Sequence, residues 1–550
     1  MDHLISLKVF EYALRKIFPL AHVLNSGVTQ EGFFCNAALP YFSEEQTLPL
    51  IEEAVKGIVK EALPIKTFEM MKGNGIAYLI HHHQVAAADQ AHDWPGNTLR
   101  MGEFDGFPFP LYDAEIGGGT NEGGSQKILY VEQKGEQALF RVAVKENPQA
   151  LKQWVKLWNS VPDPTHLAQE MQLIWSTEDK LVWLPKGVFL RDKIKNLIDN
   201  VLEGSLYRAI DNPASIDFKT LLKKGMPLQA VRQWREQQSS IFSRDGLYDA
   251  PLFTRCTLEA LIPEQQVEQE VISSLLFFDK IFKIFGFEGE WTLAVDRAAQ
   301  VKAPRTEWDR AVKWLTGALE ARGASPSRSE RHSQVGNTAS EGARNPQTWL
   351  TADEGPVLQG TVADKLGRKW LIASLGIDLS AAEGLRENLS SKGEEAPQKP
   401  QGVCPILVKG AVVESLERII ALLLANHEGV IPWEWNPEQL RVVSVGQQVA
   451  PYASEVRAQL VQAGFRTSLD NSGDKLGAKI HAAELERIPY VVVVGDRELK
   501  NGQMMVRSYK PPKDMTRKEV SQKDFAPEGT AFKIDEFLRF LGNANGKKQV

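Results

Sequence analysis

Cysteine is scarce in this sequence. Cys35, Cys256 and Cys404 are the only three in 550 residues, and no two stand in a C-x-x-C spacing. That excludes a disulfide framework and a cysteine-rich zinc site. An excess of basic charge is also lacking. Lys and Arg number 64 against 70 Asp and Glu, a formal charge of −6, which argues against a strongly cationic nucleic-acid binder while leaving room for local basic patches. No apolar run reaches membrane length and no signal peptide is read, so the expectation is a cytoplasmic protein with no membrane partner. Glycines cluster at Gly117-Gly118-Gly119 and Gly123-Gly124, but the helix and Lys-Ser/Thr of a phosphate loop do not follow them. His81-His82-His83 is no better as a metal site. Adjacent residues share no face of a helix or strand, so a solvated loop or strand end is expected there.

What is present is most legible near the carboxy terminus. Arg441-Val442-Val443-Ser444-Val445 is a short β-branched strand after Pro437. Tyr452 to Ala463 reads as an amphipathic helix with Val456, Leu460 and Val461 on one face, stopped by Gly464. Phe465 to Leu469 is a second strand. Asp474 to Arg487 is a second helix carrying Leu476, Ile480 and Leu485, and after Pro489 the segment Tyr490 to Val494 is a strand apolar on both faces. Strands alternating with helices at this spacing predict a parallel sheet.

Several of these residues recur in one family's order: Pro437-x-Gln439-x-x-Val442-Val443, Tyr452, Gly464-x-Arg466, Asp470 and Lys475-Leu476-Gly477-x-Lys479-Ile480, then Ile488-Pro489-Tyr490, Val494-Gly495-Asp496-x-Glu498 and Val506-Arg507. The pattern resembles the anticodon-binding domain of class II aminoacyl-tRNA synthetases, most closely the threonyl enzymes. The resemblance implies tRNA or another RNA as partner, with Lys479, Glu498 and Arg507 as candidates for contact. Gly473, His481 and Tyr509 replace an asparagine and two basic positions usual in the family. Phosphate-dominated binding needs clustered Lys and Arg, so this version is less basic than the resemblance leads one to expect.

The amino-terminal part has the order helix (Lys8 to Phe18), Glu31-Gly32-Phe33-Phe34, helix (Glu44 to Ala62), which resembles the editing domain of the same family. There, two histidines four apart on the first helix and a later Cys-x-x-x-His hydrolyse mischarged tRNA. Aligned on Ile17-Phe18-Pro19, this chain has Leu4 and Lys8 at the histidine positions. In the later segment, Gly102 to Leu111, the cysteine is missing and Leu111 replaces the histidine. Leucine neither positions nor deprotonates water. Ala150 to Trp175, interrupted at Val161-Pro162-Asp163-Pro164, resembles the helix linking editing and catalytic domains. Leu184-Pro185-Lys186-Gly187 with the helix Val188 to Glu203, and a strand from Ser205 to Pro213, resemble the first class II motif. That motif implies a homodimer.

The resemblance also implies where adenylation chemistry belongs, and the residues there depart from it. A guanidinium fork that stabilises charge on transferring phosphates is the physical requirement. About fifty residues expected between Ser240-Ile241-Phe242-Ser243 and Leu252-Phe253-Thr254-Arg255 are absent, and with them the zinc-binding cysteine and the arginine of the second motif. Glu259 and Lys409 stand where the two zinc histidines belong, and an ammonium does not ligate zinc. Glu264-x-Gln266-Val267-x-x-Glu270-Val271, Phe285-Gly286-Phe287-Glu288 and Glu307-Trp308-Asp309-Arg310-Ala311 keep the family's order, as do Asp364-x-Leu366-Gly367-Arg368 and Gly376-Ile377-Asp378-Leu379, although Gly376 replaces a substrate-binding glutamine. Arg418 is the candidate remnant of the third, ATP-binding motif, with a structural role on its helix as the alternative. Glu414 replaces a glycine that lets the nucleotide approach the backbone.

These readings predict a multidomain α/β and α+β protein. An α+β editing-like domain (1–148) leads through a linking helix (149–180) to a truncated class II synthetase-like antiparallel sheet domain (181–434). Its Ser/Arg/Gly/Asn-rich stretch 322–347 and a second insertion, 389–402, are expected to be disordered. A carboxy-terminal α/β anticodon-binding-like domain (435–550) completes it. The function expected is that of a threonyl-tRNA synthetase-like protein without aminoacylation or editing, using neither zinc nor ATP. The alternatives are an active threonine–tRNA ligase and a scaffold that binds protein and not RNA.

Overall fold

The computed structural model describes residues 3–92, 94, 96–111, 124–176, 180–209, 230–238, 246–296, 305–323, 327–331, 354–379, 406–509 and 529–545. The glycine runs at 117–119 and 123, the end of the first-motif strand, Ser240 to Ser243, Cys404 and the insertion 389–402 fall outside them. The chain divides into two compact units.

The first unit comprises Met1–Val161, Ser205–Glu236 and Thr254–Ser415. Its amino-terminal helices, His3–Ile17 and Glu44–Glu61, pack on a four-stranded antiparallel sheet ordered His22–Val28, Gly32–Ala38, Gln137–Lys145, Ser125–Lys134. The first helix starts at His3 and not at Lys8, because every residue from Ile5 to Leu14 is buried. Ser6, Lys8 and Glu11 are buried along with the apolar residues, so polar positions do not mark a solvent face at the start. Phe10 meets Phe33 and Phe140 edge-on or tilted at 5.3 and 5.4 Å, the geometry favoured by ring quadrupoles. A three-stranded sheet, Lys66–Met71, Thr98–Phe104 and Phe107–Pro110, carries the helices Lys72–His81 and Val85–His92. The last two strands turn at Asp105-Gly106, both at positive φ, as an Asp-Gly hairpin requires. His81 to His83 lie at the end of the first of these helices, with His83 at φ 58°. His81 closes the helix and His82 and His83 form the turn that follows, with His81 and His83 exposed.

The larger sheet of this unit has eight strands, ordered Arg208–Ala209, Ala230–Gln238, Leu252–Ile262, Ile406–Val413, Lys369–Asp378, Val357–Ala363, Gly289–Asp296 and Ser327–Arg331, with an antiparallel centre. Val267–Ile284 and Arg305–Glu320 are its helices. The motif Asp364-x-Leu366-Gly367-Arg368 is a turn between neighbouring strands. The Asp364 carboxylate accepts hydrogen bonds from the Leu366 and Arg368 backbone and from Arg368 Nε and Trp370 Nε1, at 2.8 to 3.0 Å. One expectation is corrected here. Ser327–Arg331, inside the stretch expected to lack structure, pairs in parallel with Thr292–Asp296, whose free edge offers a ladder to any extended segment.

The second unit comprises Pro162–Gly204, Gln237–Phe253 and Leu416–Val550. The segment Ala150 to Trp175 breaks at its expected interruption into two helices, Pro148–Ser160 in the first unit and Pro164–Glu170 here, but the second ends at Glu170 and not at Trp175. Each has proline in its first turn and a side-chain cap, Asn147 and Asp163. Ile174–Ser176 is a strand paired with Leu181–Trp183. The carboxy-terminal sheet is ordered Thr467–Asp470, Leu440–Ser444, Tyr490–Val494, Met504–Ser508, Thr530–Phe532. The first three are parallel, as the alternation predicts, and the last two antiparallel. Val456 and Leu460 of the helix Ala450–Gln462 are core, while Val461 is 45 % exposed. Among the described residues, no helix is long and apolar enough to cross a membrane.

Candidate nucleic-acid interface and the eight-stranded sheet

In the carboxy-terminal sheet domain, the three candidate RNA contacts have different fates. Lys479 lies on the helix Leu476–Leu485 and is 3 % exposed. Its ammonium donates to the Ser444 carbonyl at 3.0 Å and pairs with Asp470 at 3.6 Å, so it fastens that helix to two strands. Burial alone would raise the Asp470 pKa, but hydrogen bonds from Ser472 and the charge of Lys479 hold it below its ordinary value. Glu498 caps the helix Asp496–Asn501, its Oε2 accepting the Gly495 backbone N–H at 2.9 Å. The motif Gly495-Asp496-x-Glu498 is thus a helix start. Arg507 is half-buried on its strand, opposite Val491. Lys475, a matched position not proposed as a contact, and Arg497 and Lys500, which no motif match names, are exposed. The signal that could have found them is basic charge at or directly beside the matched residues, Lys475 within one motif and Arg497 and Lys500 around Glu498.

Beneath this surface sits a charge network. Arg441 spans Glu438 and Glu486 with four hydrogen bonds of 2.6 to 2.9 Å. Lys186, from the helix Pro185–Leu202, reaches the same two carboxylates, Glu486 at 2.6 Å. Desolvation opposes ionisation of Glu438. The Arg441 hydrogen bonds and the neighbouring cations overcome it and keep the carboxyl below its ordinary value, while Arg441 is raised by the same contacts against its own burial.

In the eight-stranded sheet, Glu259 and Lys409 face each other in register across neighbouring strands, and Gly376 is the partner of Lys409 on its other side. The aligned pair is therefore brought together. Lys409 Nζ pairs with Glu354 at 3.1 Å and Asp378 at 3.6 Å, and Glu259 with Arg235 at 3.8 Å. A resident ammonium flanked by carboxylates does not fit a zinc ion. Just past the end of the Lys409 strand, Glu414 is fully buried. Arg255 Nε approaches its Oε2 at 3.1 Å, and Ser374 Oγ donates to its Oε1. Arg418, in the second unit, is also fully buried. Its Nε donates to the Tyr248 carbonyl at 2.7 Å and its Nη2 pairs with Asp249. This guanidinium is spent on the short turn Gly246–Asp249, which does not fit a nucleotide phosphate.

In the amino-terminal domain, Lys8 pairs with Glu11 at 2.8 Å, and Ser26 Oγ donates to the other Glu11 oxygen at 2.6 Å. They line a cleft of about 50 Å³ together with His22, His83 and Phe107. Leu4 is half-buried, and Leu111 is core. Cys35, in register with Ser26, is fully buried, and desolvation pushes its thiol well above the ordinary value, which makes it inert.

The anticodon binding domain family matches residues 439–528. The chain is 24 % identical to a threonine–tRNA ligase of Nitratidesulfovibrio vulgaris over 90 % of its own length and 82 % of that protein. It is 21 % identical to that of Clostridioides difficile over 92 % and 84 %. Among solved structures, the RNA binding domain of threonyl-tRNA synthetase from Cryptosporidium parvum matches with a TM-score of 0.52 at 18 % identity, covering 70 % of this chain and 98 % of that one. The last likeness is one of fold.

Proposed function

We propose that this chain, a divergent relative of the threonyl-tRNA synthetases, binds tRNA or another RNA through its carboxy-terminal domain and neither aminoacylates nor edits. The observation that carries this is Glu414. A buried carboxylate stands where the family needs a glycine beside the nucleotide, and Arg255 is committed to it. Arg418 is committed to Asp249 in the same way. Loss of one charge-stabilising interaction costs roughly 10²–10³ in rate, so loss of several leaves little turnover. At the editing positions, Lys8 is tied to Glu11 and Leu111 is apolar, which supports the absence of hydrolysis. Zinc and ATP have no part in this role, and a homodimer in the cytoplasm is its proposed setting.

The similarity to ligases over 90 % of the chain favours the second reading, an active threonine–tRNA ligase. Threonine-dependent ATP–pyrophosphate exchange separates the two. The full-length chain is expected to show no exchange above a no-enzyme control, and clear turnover would establish the ligase. Filter binding of total tRNA at low salt tests the RNA role, and failure to bind there would leave a protein scaffold.

A further inference from the structure

We infer that Arg255 and Ser374 form an internal anion site whose resident ligand is the chain's own Glu414 carboxylate. Glu414 follows directly on the strand Ile406–Val413, which lies between Leu252–Ile262 and Lys369–Asp378. Arg255 reaches it from one neighbour and Ser374 from the other. The registers Cys256 with Val413 and Ser374 with Ala411 bring both side chains to the end of the middle strand, and the Glu414 backbone N–H is held by the Ile372 carbonyl at 2.9 Å. A guanidinium and a hydroxyl converge on two different oxygens of one carboxylate, all three residues being at most 1 % exposed. A charge-assisted interaction of this kind in a dry setting selects a small oxyanion. The chemistry it would take, were the side chain removed, is a carboxylate- or phosphate-sized anion.

This deepens the reading of a silenced adenylation sheet and rests on it. Besides the missing second-motif arginine, the sheet is silenced because the anion position beside Arg255 is filled by a carboxylate tethered to the chain. An external anion cannot compete with a tethered one at very high effective concentration. Removing the side chain while leaving Arg255 and Ser374 should convert the plug into a vacancy for a free ion.

The test uses the full chain and the variants E414A and R255M/E414L, melted in formate, acetate or inorganic phosphate against chloride at matched ionic strength. E414A leaves a buried guanidinium without its carboxylate and is expected to melt roughly 5–10 °C below the parent. Formate should restore about half of that loss by mass action, with the parent unchanged. R255M/E414L replaces the pair by apolar groups. It is expected to melt within about 3 °C of the parent and to ignore formate. If E414A is recovered insoluble, the same rescue is read as soluble yield on refolding from urea with and without formate. Rescue of E414A by none of the three anions overturns the inference, as does equal rescue of the double variant. Pyrophosphate exchange by the parent would refute the non-catalytic reading by a separate measurement that leaves the rescue result standing.

Discussion

Lys479 is a residue whose role depends wholly on where its ammonium ends. In the one-dimensional pattern it is a cation in a tRNA-binding motif. In the folded domain it is 3 % exposed and bonded to Ser444 and Asp470. K479M is therefore expected to lower the stability of the carboxy-terminal domain by about 1–3 kcal/mol, the cost of leaving buried acceptors unmatched. RNA affinity measured below the melting range should be unchanged. Urea unfolding and filter binding of the same preparation check this, and a variant that folds normally but loses RNA would reverse the assignment. Glu498 is a similar case, since its carboxylate is engaged at the Gly495 N–H. Arg507 is half-buried on its strand.

Among the elements, the helix Pro185–Leu202 and the strand Leu440–Ser444 are joined by the network of Lys186, Glu438, Arg441 and Glu486. This makes their association pH-dependent with a definite sign. Glu438 is held below its ordinary value near 4.5. Its contribution is fully present above the unfolded carboxylate pKa and is lost as pH falls through the lowered folded value. E438Q mimics the protonated side chain. The stability gap between parent and E438Q is thus expected to be wide near pH 7 and to narrow toward about pH 4. Urea unfolding at the two pH values measures it, and a gap that stays constant would deny the network this role. Glu270, in the first unit, has the opposite sign. Burial raises its pKa, so its contribution is present below the unfolded value and declines as pH rises.

For the whole molecule, a formal charge of −6 means that RNA binding must come from a local cluster acting against the general field. Lys475, Arg497 and Lys500 are exposed basic groups on the segments that match the anticodon-binding domain. The triple variant K475E/R497E/K500E is expected to weaken tRNA binding by at least about tenfold and to flatten its salt dependence, by roughly one unit of slope for each phosphate that is no longer neutralised. Filter binding across a salt series reads both, and an unchanged slope would place the interface elsewhere. The sequence by itself determined the alternation of strand and helix after Arg441 and the break at Val161-Pro162-Asp163-Pro164. Each follows from local periodicity or backbone preference, which need no distant partner. It also determined which residue types stand at each matched position, such as Glu414 and Lys409, because side-chain chemistry is written residue by residue. Only the tertiary structure decided that Glu259 and Lys409 are neighbours, that Ser327–Arg331 extends a sheet, and that Arg255, Arg418 and Lys479 are paired inside the protein. A charged side chain's availability depends on the burial and partners supplied by segments far away in the chain, and no spacing along the sequence encodes those partners.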